Sequence, residues 1–77
     1  MPYIKINAYP KDEETKKKVV DEINNVFLKY WGCPPQAITI GLEEVAPEDW
    51  QKVIREPLIE PDKEKMMILD GVKKYEL

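Results

Sequence analysis

The first residues of the chain alternate between apolar and other side chains. Ile4, Ile6 and Ala8 fall on one side of an extended backbone, with Tyr3, Lys5 and Asn7 on the other. Alternation with a period of two is typical of a β-strand that has one apolar face. Pro10 follows closely, and proline cannot donate to a sheet ladder. The pattern therefore predicts a strand over residues 3–8.

The next segment has the spacing of an amphipathic helix. Asp12 stands where an N-cap is needed, because its carboxylate can accept from free backbone N–H groups, and acidic residues follow it. Apolar side chains then recur along one stripe, at Val19, Val20, Ile23, Val26, Phe27 and Tyr30. Gly32 and Pro34 favour the end of the helix. The stripe predicts a helix of roughly four to five turns.

A second strand is predicted from Ala37 to Val45. Ile38, Ile40 and Leu42 alternate there with more polar or smaller residues. A strand, an amphipathic helix and a second strand in this order favour a βαβ unit with a right-handed crossover and parallel strands. The predicted fold class is therefore α/β.

The C-terminal third has a different pattern. Pro47 begins a predicted helix that carries Trp50, and this helix is expected to end before Pro57. A second short helical stretch is predicted over residues 63–69. Asp70-Gly71 is expected to turn the chain into a charged tail. The C-terminal part is thus predicted to consist of short helices.

The length of the chain makes self-association an expectation. Its 77 residues are enough for one small domain, which we predict over residues 1–77. Domains this small bury a limited share of their surface, and a sheet of only two strands is marginal alone. We expect the sheet to be extended by oligomerisation, into a dimer or a hexamer.

Composition removes several classes of function. The chain has no histidine and one cysteine, Cys33, which excludes a Ser-His-Asp triad and clustered thiolate or histidine metal sites. A net charge of −3 argues against a nucleic-acid partner. No apolar run has the length of a membrane helix, and no secretory leader is evident. A cytoplasmic protein without nucleic-acid or membrane partners is expected.

Three stretches resemble the tautomerase superfamily. They are the start Met-Pro-Tyr-Ile-Lys-Ile, the strand segment Ile38-Thr39-Ile40, and residues 45–51, which read Val-Ala-Pro-Glu-Asp-Trp-Gln. The chain is similar to the 4-oxalocrotonate tautomerase family, and over most of its length to the bacterial phenylpyruvate-type members. The resemblance implies an enzyme that moves a proton between carbon and oxygen of a 2-oxo acid or its enol.

The resemblance also implies the catalytic group. In the family an N-terminal proline is the base, which here is Pro2 after removal of Met1. A free α-amino group has a pKa near 8, and apolar walls or nearby cations lower it toward neutrality. A neutral amine is then a competent general base. Trp50 matches the aromatic residue that forms the apolar wall beside this proline.

Substrate-binding residues match the family less completely. Lys11 lies close to the position of an arginine that binds the substrate carboxylate, without matching it strictly. Thr39 replaces a second arginine, and phenylpyruvate-type members also have a small hydroxyl residue there. Arg55, the only arginine in the chain, is a further candidate anion binder. The implied substrate is a monocarboxylate such as phenylenolpyruvate, handled with no cofactor and no metal.

Two other functions are compatible with the sequence. A hydratase, dehalogenase or decarboxylase could use the same proline, although those branches usually carry more acidic residues or arginines in the pocket. A non-catalytic oligomeric module could keep the fold without the activity. Retention of Met1 would favour this last alternative, because the Pro2 nitrogen would then remain in a peptide bond.

Overall fold

The computed structural model describes all residues, Met1–Leu77. The chain divides into two compact units, Met1–Ala46 and Pro47–Leu77. The first unit contains the βαβ arrangement that the sequence predicts, which confirms the α/β class. That residues 1–77 form a single domain stays a prediction.

The first unit is built on two parallel strands. β1 spans Tyr3–Ala8 and pairs with β2, Thr39–Glu44, so that Ile4 lies opposite Ile40 and Ile6 opposite Leu42. These apolar pairs share one face because alternate residues of a strand point the same way. The two strands form a sheet of their own, so the other edge of each has no strand beside it.

A helix connects the two strands. α1 spans Glu13–Val26, and Asp12 caps it by accepting from the backbone N–H of Thr15. The last residues, Phe27–Trp31, continue as a π-helical turn, and Gly32 ends it in the left-handed region at φ 74°. Glycine suits this position because it has no Cβ to clash there. The predicted cap, length and end of this helix are confirmed.

The apolar stripe of α1 is only partly sheltered. Val20, Ile23 and Phe27 are half-buried, whereas the other edge of the stripe, formed by Val19, Val26 and Tyr30, is exposed. Val45 is the one nearly fully buried apolar residue of this unit, at 7 % exposure. The unit therefore leaves apolar surface in contact with water.

The second strand is shorter than the predicted span of residues 37–45. Residues Pro35–Ala37 form a 3-10 turn instead, in which the Ala37 N–H donates to the Pro34 carbonyl at 3.0 Å. Proline in the first turn favours this conformation because its φ is already helical. Val45 lies past the strand, although its N–H still donates to the Ala8 carbonyl at 2.8 Å.

The first helix of the second unit is longer than predicted. α2 begins at Pro47 and reaches Trp50, and π-helical turns continue from Gln51 to Ile59 with Pro57 inside them. The expectation that the helix ends before Pro57 is therefore wrong. In a π-helix the hydrogen bond reaches one residue further back, which widens the turn around the proline ring.

The end of the second unit is a hairpin rather than a helix and a tail. A 3-10 segment, Glu60–Lys65, precedes β3, Ile68–Leu69, which pairs antiparallel with β4, Val72–Lys73. Lys74–Glu76 form a last 3-10 turn. The helical stretch predicted over residues 63–69 is thus wrong beyond Lys65. An Asp-Gly pair favours a two-residue hairpin turn, and that local signal outweighs the apolar spacing.

None of the helices in the chain combines the length and apolar character that a bilayer crossing requires.

Candidate functional site

Pro2 lies directly before β1 and is half-buried. Its carbonyl accepts a hydrogen bond from the backbone N–H of Thr39 at 3.1 Å. Met1, in contrast, is 89 % exposed. While Met1 is attached, the Pro2 nitrogen is a peptide nitrogen without basicity. Removal of Met1 would turn the Pro2 nitrogen into a secondary amine at the start of β1, where the Thr39 hydrogen bond holds the backbone.

Thr39 contacts Pro2 through its backbone. It is the first residue of β2, lies opposite Tyr3 in the parallel register, and has an exposed side chain. This places it on the face of the sheet opposite the Ile4–Ile40 pair, with Lys5 and Glu43, whose charged groups are 3.9 Å apart. The structure therefore brings Pro2 and Thr39 together, with the peptide group rather than the hydroxyl making the contact.

Lys11 is anchored by its backbone and leaves its ammonium group available. Its N–H donates to Oε2 of Glu44 at 2.9 Å, and the same carboxylate lies 3.2 Å from Nζ of Lys16. The backbone N–H of Lys11, followed by the ammonium of Lys16, lowers the pKa of Glu44. The exposed Lys11 side chain takes part in none of the ion pairs of the chain.

Lys11 and Pro2 lie at opposite ends of β1. The strand covers Tyr3–Ala8, and at about 3.3 Å per residue it separates the two by roughly 20 Å. A lysine side chain is much shorter than this separation. Within one copy of the chain, the structure therefore does not bring the predicted base and the predicted carboxylate anchor together.

An apolar cavity opens beside Lys11, between the sheet and α1. We call it the Val19 cavity; its volume is about 230 Å³, and it is lined by Ile6, Ala8, Tyr9, Lys11, Thr15, Lys16, Val19 and Leu42. The sequence does not predict this cavity. The apolar alternation of both strands and the stripe of the helix indicated its walls, but not that the packing leaves a space between them.

A larger cavity, about 490 Å³, lies along α1 and is lined mostly by charged residues. Among them, Nζ of Lys16 lies 2.7 Å from Oε1 of Glu13, and this contact, followed by Glu44, raises the pKa of Lys16. Two of the four charged residues in its lining, Glu13 and Lys16, therefore neutralise each other. It offers less to a ligand than its volume suggests.

Arg55 is already engaged by two carboxylates. Its Nη1 and Nη2 donate to Asp70 at 2.7 and 3.1 Å, and its Nε donates to Glu60 at 3.2 Å. The hydrogen bonds to Asp70 raise the pKa of Arg55, and the guanidinium lowers the pKa of Asp70. A substrate carboxylate would have to compete with these partners, so the arrangement favours a structural role for Arg55.

Trp50 is the last residue of α2 and is half-buried. Its assignment as the apolar wall beside Pro2 stays a prediction from the resemblance. No group of three or more carboxylate or thiol side chains is arranged to hold a metal ion.

Comparison with known proteins places the βαβ unit in a family. The profile of the family described as "Tautomerase enzyme" matches residues 2–52. A protein of Shigella sonnei named Tautomerase PptA is 32 % identical over 73 residues, which cover 92 % of this chain and 96 % of that protein. The Tautomerase PptA of Pectobacterium atrosepticum is 30 % identical over 63 residues, or 79 % of this chain and 83 % of the relative. This chain therefore belongs to the tautomerase family and is an isomerase of that class.

Proposed function

We propose that this protein catalyses the keto–enol tautomerisation of 2-oxo acids of the phenylenolpyruvate type, with Pro2 as general base once Met1 is removed. The observation that carries the proposal is the hydrogen bond from the Thr39 N–H to the Pro2 carbonyl. It holds the proline at the start of β1 by its carbonyl side. On the nitrogen side of Pro2 the chain continues only to Met1, whose side chain is exposed.

The proton transfer needs a neutral amine and no oxidant. The Pro2 nitrogen accepts the proton of the enol hydroxyl, the C–O double bond forms as the C–C double bond opens, and the ammonium returns a proton to C3. No atoms are gained or lost, as an isomerisation requires. An apolar environment and a nearby cation would both lower the pKa of the amine toward neutrality.

A second copy of the chain would complete the site. β1 has a free edge, and antiparallel pairing of two β1 strands about a two-fold axis brings the start of one strand beside the end of the other. Pro2 of one copy would then lie near Lys11 of its partner. Such pairing also turns each two-stranded sheet into half of a four-stranded one, as expected for so short a chain.

The available cations favour a monocarboxylate substrate. Thr39 is uncharged where the family's dicarboxylate enzyme has an arginine, and Arg55 is held by Asp70 and Glu60. Of the two cations predicted to bind substrate, Lys11 is then the one that takes part in no ion pair, which favours it as the carboxylate anchor. A second carboxylate on the substrate would lack a partner, at a cost in affinity. Cys33 is a free thiol, which fits the cytoplasmic location we propose.

The test is the rate at which phenylenolpyruvate is converted to its keto form, followed by ultraviolet absorbance. Protein confirmed by mass to start at Pro2 is compared with Pro2→Ala, which keeps an N-terminal amine but loses the secondary ring amine. We expect the variant to be slower by about a hundredfold or more. If the unsubstituted protein does not exceed the rate in buffer, the proposal is wrong and the non-catalytic module becomes the better account.

A further inference from the structure

We propose that the Val19 cavity receives the apolar end of the substrate and so sets a preference for 2-oxo acids with an aromatic or branched apolar group. The proposal rests on the function proposed above and adds the residues that select the substrate. It assigns a role to Val19, Leu42 and Ile6, none of which carries a chemically reactive group.

The lining and the size of the cavity fit such a group. Ile6, Ala8, Val19 and Leu42 contribute hydrocarbon walls, and the volume is about 230 Å³. An apolar cavity of roughly 150 Å³ suffices to bind benzene in another protein. The Val19 cavity therefore has room for a phenyl ring and a short linking carbon, but not for a large ligand.

The charges at the rim fit one carboxylate. Lys16 lies at the rim but is paired with Glu13 and Glu44 at 2.7 and 3.2 Å. Lys11, also at the rim, has no such partner. The rim thus presents one cation that takes part in no ion pair, next to an apolar interior. An amphipathic anion with a single carboxylate matches this arrangement, whereas a neutral or dicarboxylate ligand leaves a charge unpaired.

The connectivity of the substrate agrees with this placement. In a 2-oxo acid the reacting carbons lie between the carboxylate and the apolar group. With the carboxylate at Lys11 and the apolar group in the Val19 cavity, the C2–C3 unit stays at the mouth. There it is accessible to the Pro2 amine of a second copy.

The experiment reduces the volume of the cavity by substitution and compares the kinetics of two substrates, one with an apolar group and one without. Val19→Phe adds a ring at the wall, while Val26→Phe makes the same change seven residues along α1, where the side chain is also exposed and does not line the Val19 cavity. Each variant is assayed with phenylenolpyruvate and with enolpyruvate, which has no apolar group. Turnover of enolpyruvate also shows that the variant is folded.

We expect Val19→Phe to raise KM for phenylenolpyruvate roughly tenfold to a hundredfold, the size expected for losing the burial of one ring. For Val19→Phe, KM for enolpyruvate should change by less than about threefold. For Val26→Phe, KM for each of the two substrates should also change by less than about threefold. Equal effects of the two variants on phenylenolpyruvate would overturn the proposal. The proposal would also be overturned if Val19→Phe raised KM for enolpyruvate as much as it raised KM for phenylenolpyruvate.

A binding measurement separates this proposal from the proposed function. 3-Phenylpropanoate carries the ring and the carboxylate but cannot enolise. We expect nuclear Overhauser contacts between its ring protons and the methyl groups of Val19 and Leu42, and we expect the contacts with Leu42 to be lost in Val19→Phe. If these contacts are seen but the unsubstituted protein does not turn over phenylenolpyruvate, the tautomerase mechanism is refuted while the binding role of the Val19 cavity stands. If the protein turns over phenylenolpyruvate but the contacts are absent, only the binding role of the cavity is refuted.

Discussion

The backbone N–H of Thr39 donates to the carbonyl of Pro2 at 3.1 Å, one residue before the ladder of β1 and β2 begins. The bond joins two residues that are far apart in sequence and lie at the same end of the sheet. Because it uses the peptide group of Thr39, it constrains the candidate base without involving the hydroxyl. The position can therefore differ in side chain between relatives while its backbone role stays the same.

Substitution at Thr39 should separate the backbone contribution from that of the hydroxyl. We expect Thr39→Val to change kcat/KM for phenylenolpyruvate by less than about threefold, because the N–H remains. Thr39→Pro removes the donor at the first residue of a strand, where proline is tolerated, and Ile38 already has the extended ψ of 127° that precedes proline. We expect roughly a tenfold loss in kcat/KM, with an unchanged circular dichroism spectrum. A larger loss for Thr39→Val would assign substrate binding to the hydroxyl.

Mixing two inactive variants should restore activity if each site is shared between copies. In a mixed dimer of Pro2→Ala and Lys11→Ala chains, one site lacks both residues and the other keeps both. Random exchange of subunits should then recover about a quarter of the unsubstituted rate. The measurement is turnover after co-refolding, with each variant refolded alone as the control. No recovery in a verified mixed oligomer would contradict a site shared between copies.

Arg55 and Asp70 should stabilise the chain in a pH-dependent manner. Arg55 lowers the pKa of Asp70 below its ordinary value of 3.8, so this contribution is complete above that pH and is lost as the pH falls through the lowered value. We expect Asp70→Asn to unfold a few degrees below the unsubstituted protein at pH 7, and by a smaller margin at about pH 2.5, where Asp70 begins to be protonated. Thermal unfolding followed by circular dichroism measures both.

The matched control for Asp70 is Glu64→Gln, which removes an exposed carboxylate from the same unit. It should unfold within a degree or so of the unsubstituted protein at both pH values. A difference for Asp70→Asn that persists unchanged at low pH would show that the ion pair is not its cause.

The hairpin turn between β3 and β4 should require glycine at position 71. Asp70 and Gly71 both have positive φ, 49° and 82°, and an alanine at position 71 would be strained by about 1 kcal/mol. An added Cβ meets no atom within 4 Å at Gly71 or at Gly41, so neither change causes a clash. Gly41→Ala, without a positive φ, should alter the free energy of unfolding by less than about 0.5 kcal/mol. Urea unfolding measures the free energy of unfolding of both variants. Equal losses of stability would contradict a backbone strain specific to position 71.

Short-range signals predicted much of the first unit. The bounds of β1, the Asp12 cap and the end of the helix at Gly32 follow from residues that are neighbours in sequence. Alternation, capping and a left-handed glycine each act within a few residues, so the chain specifies them without reference to its fold. The family resemblance likewise rests on short stretches, and Pro2 as the candidate base comes from that resemblance.

Only the tertiary structure decided which residues can act together. It put Lys11 at the far end of β1 from Pro2, engaged Arg55 with Asp70 fifteen residues later, and left a cavity where Val19 faces Leu42. It also carried the helix of the second unit through Pro57 and folded residues 68–73 into a hairpin. Distances between remote residues and the volume left by packing depend on the whole backbone path, and no local pattern of side chains encodes them.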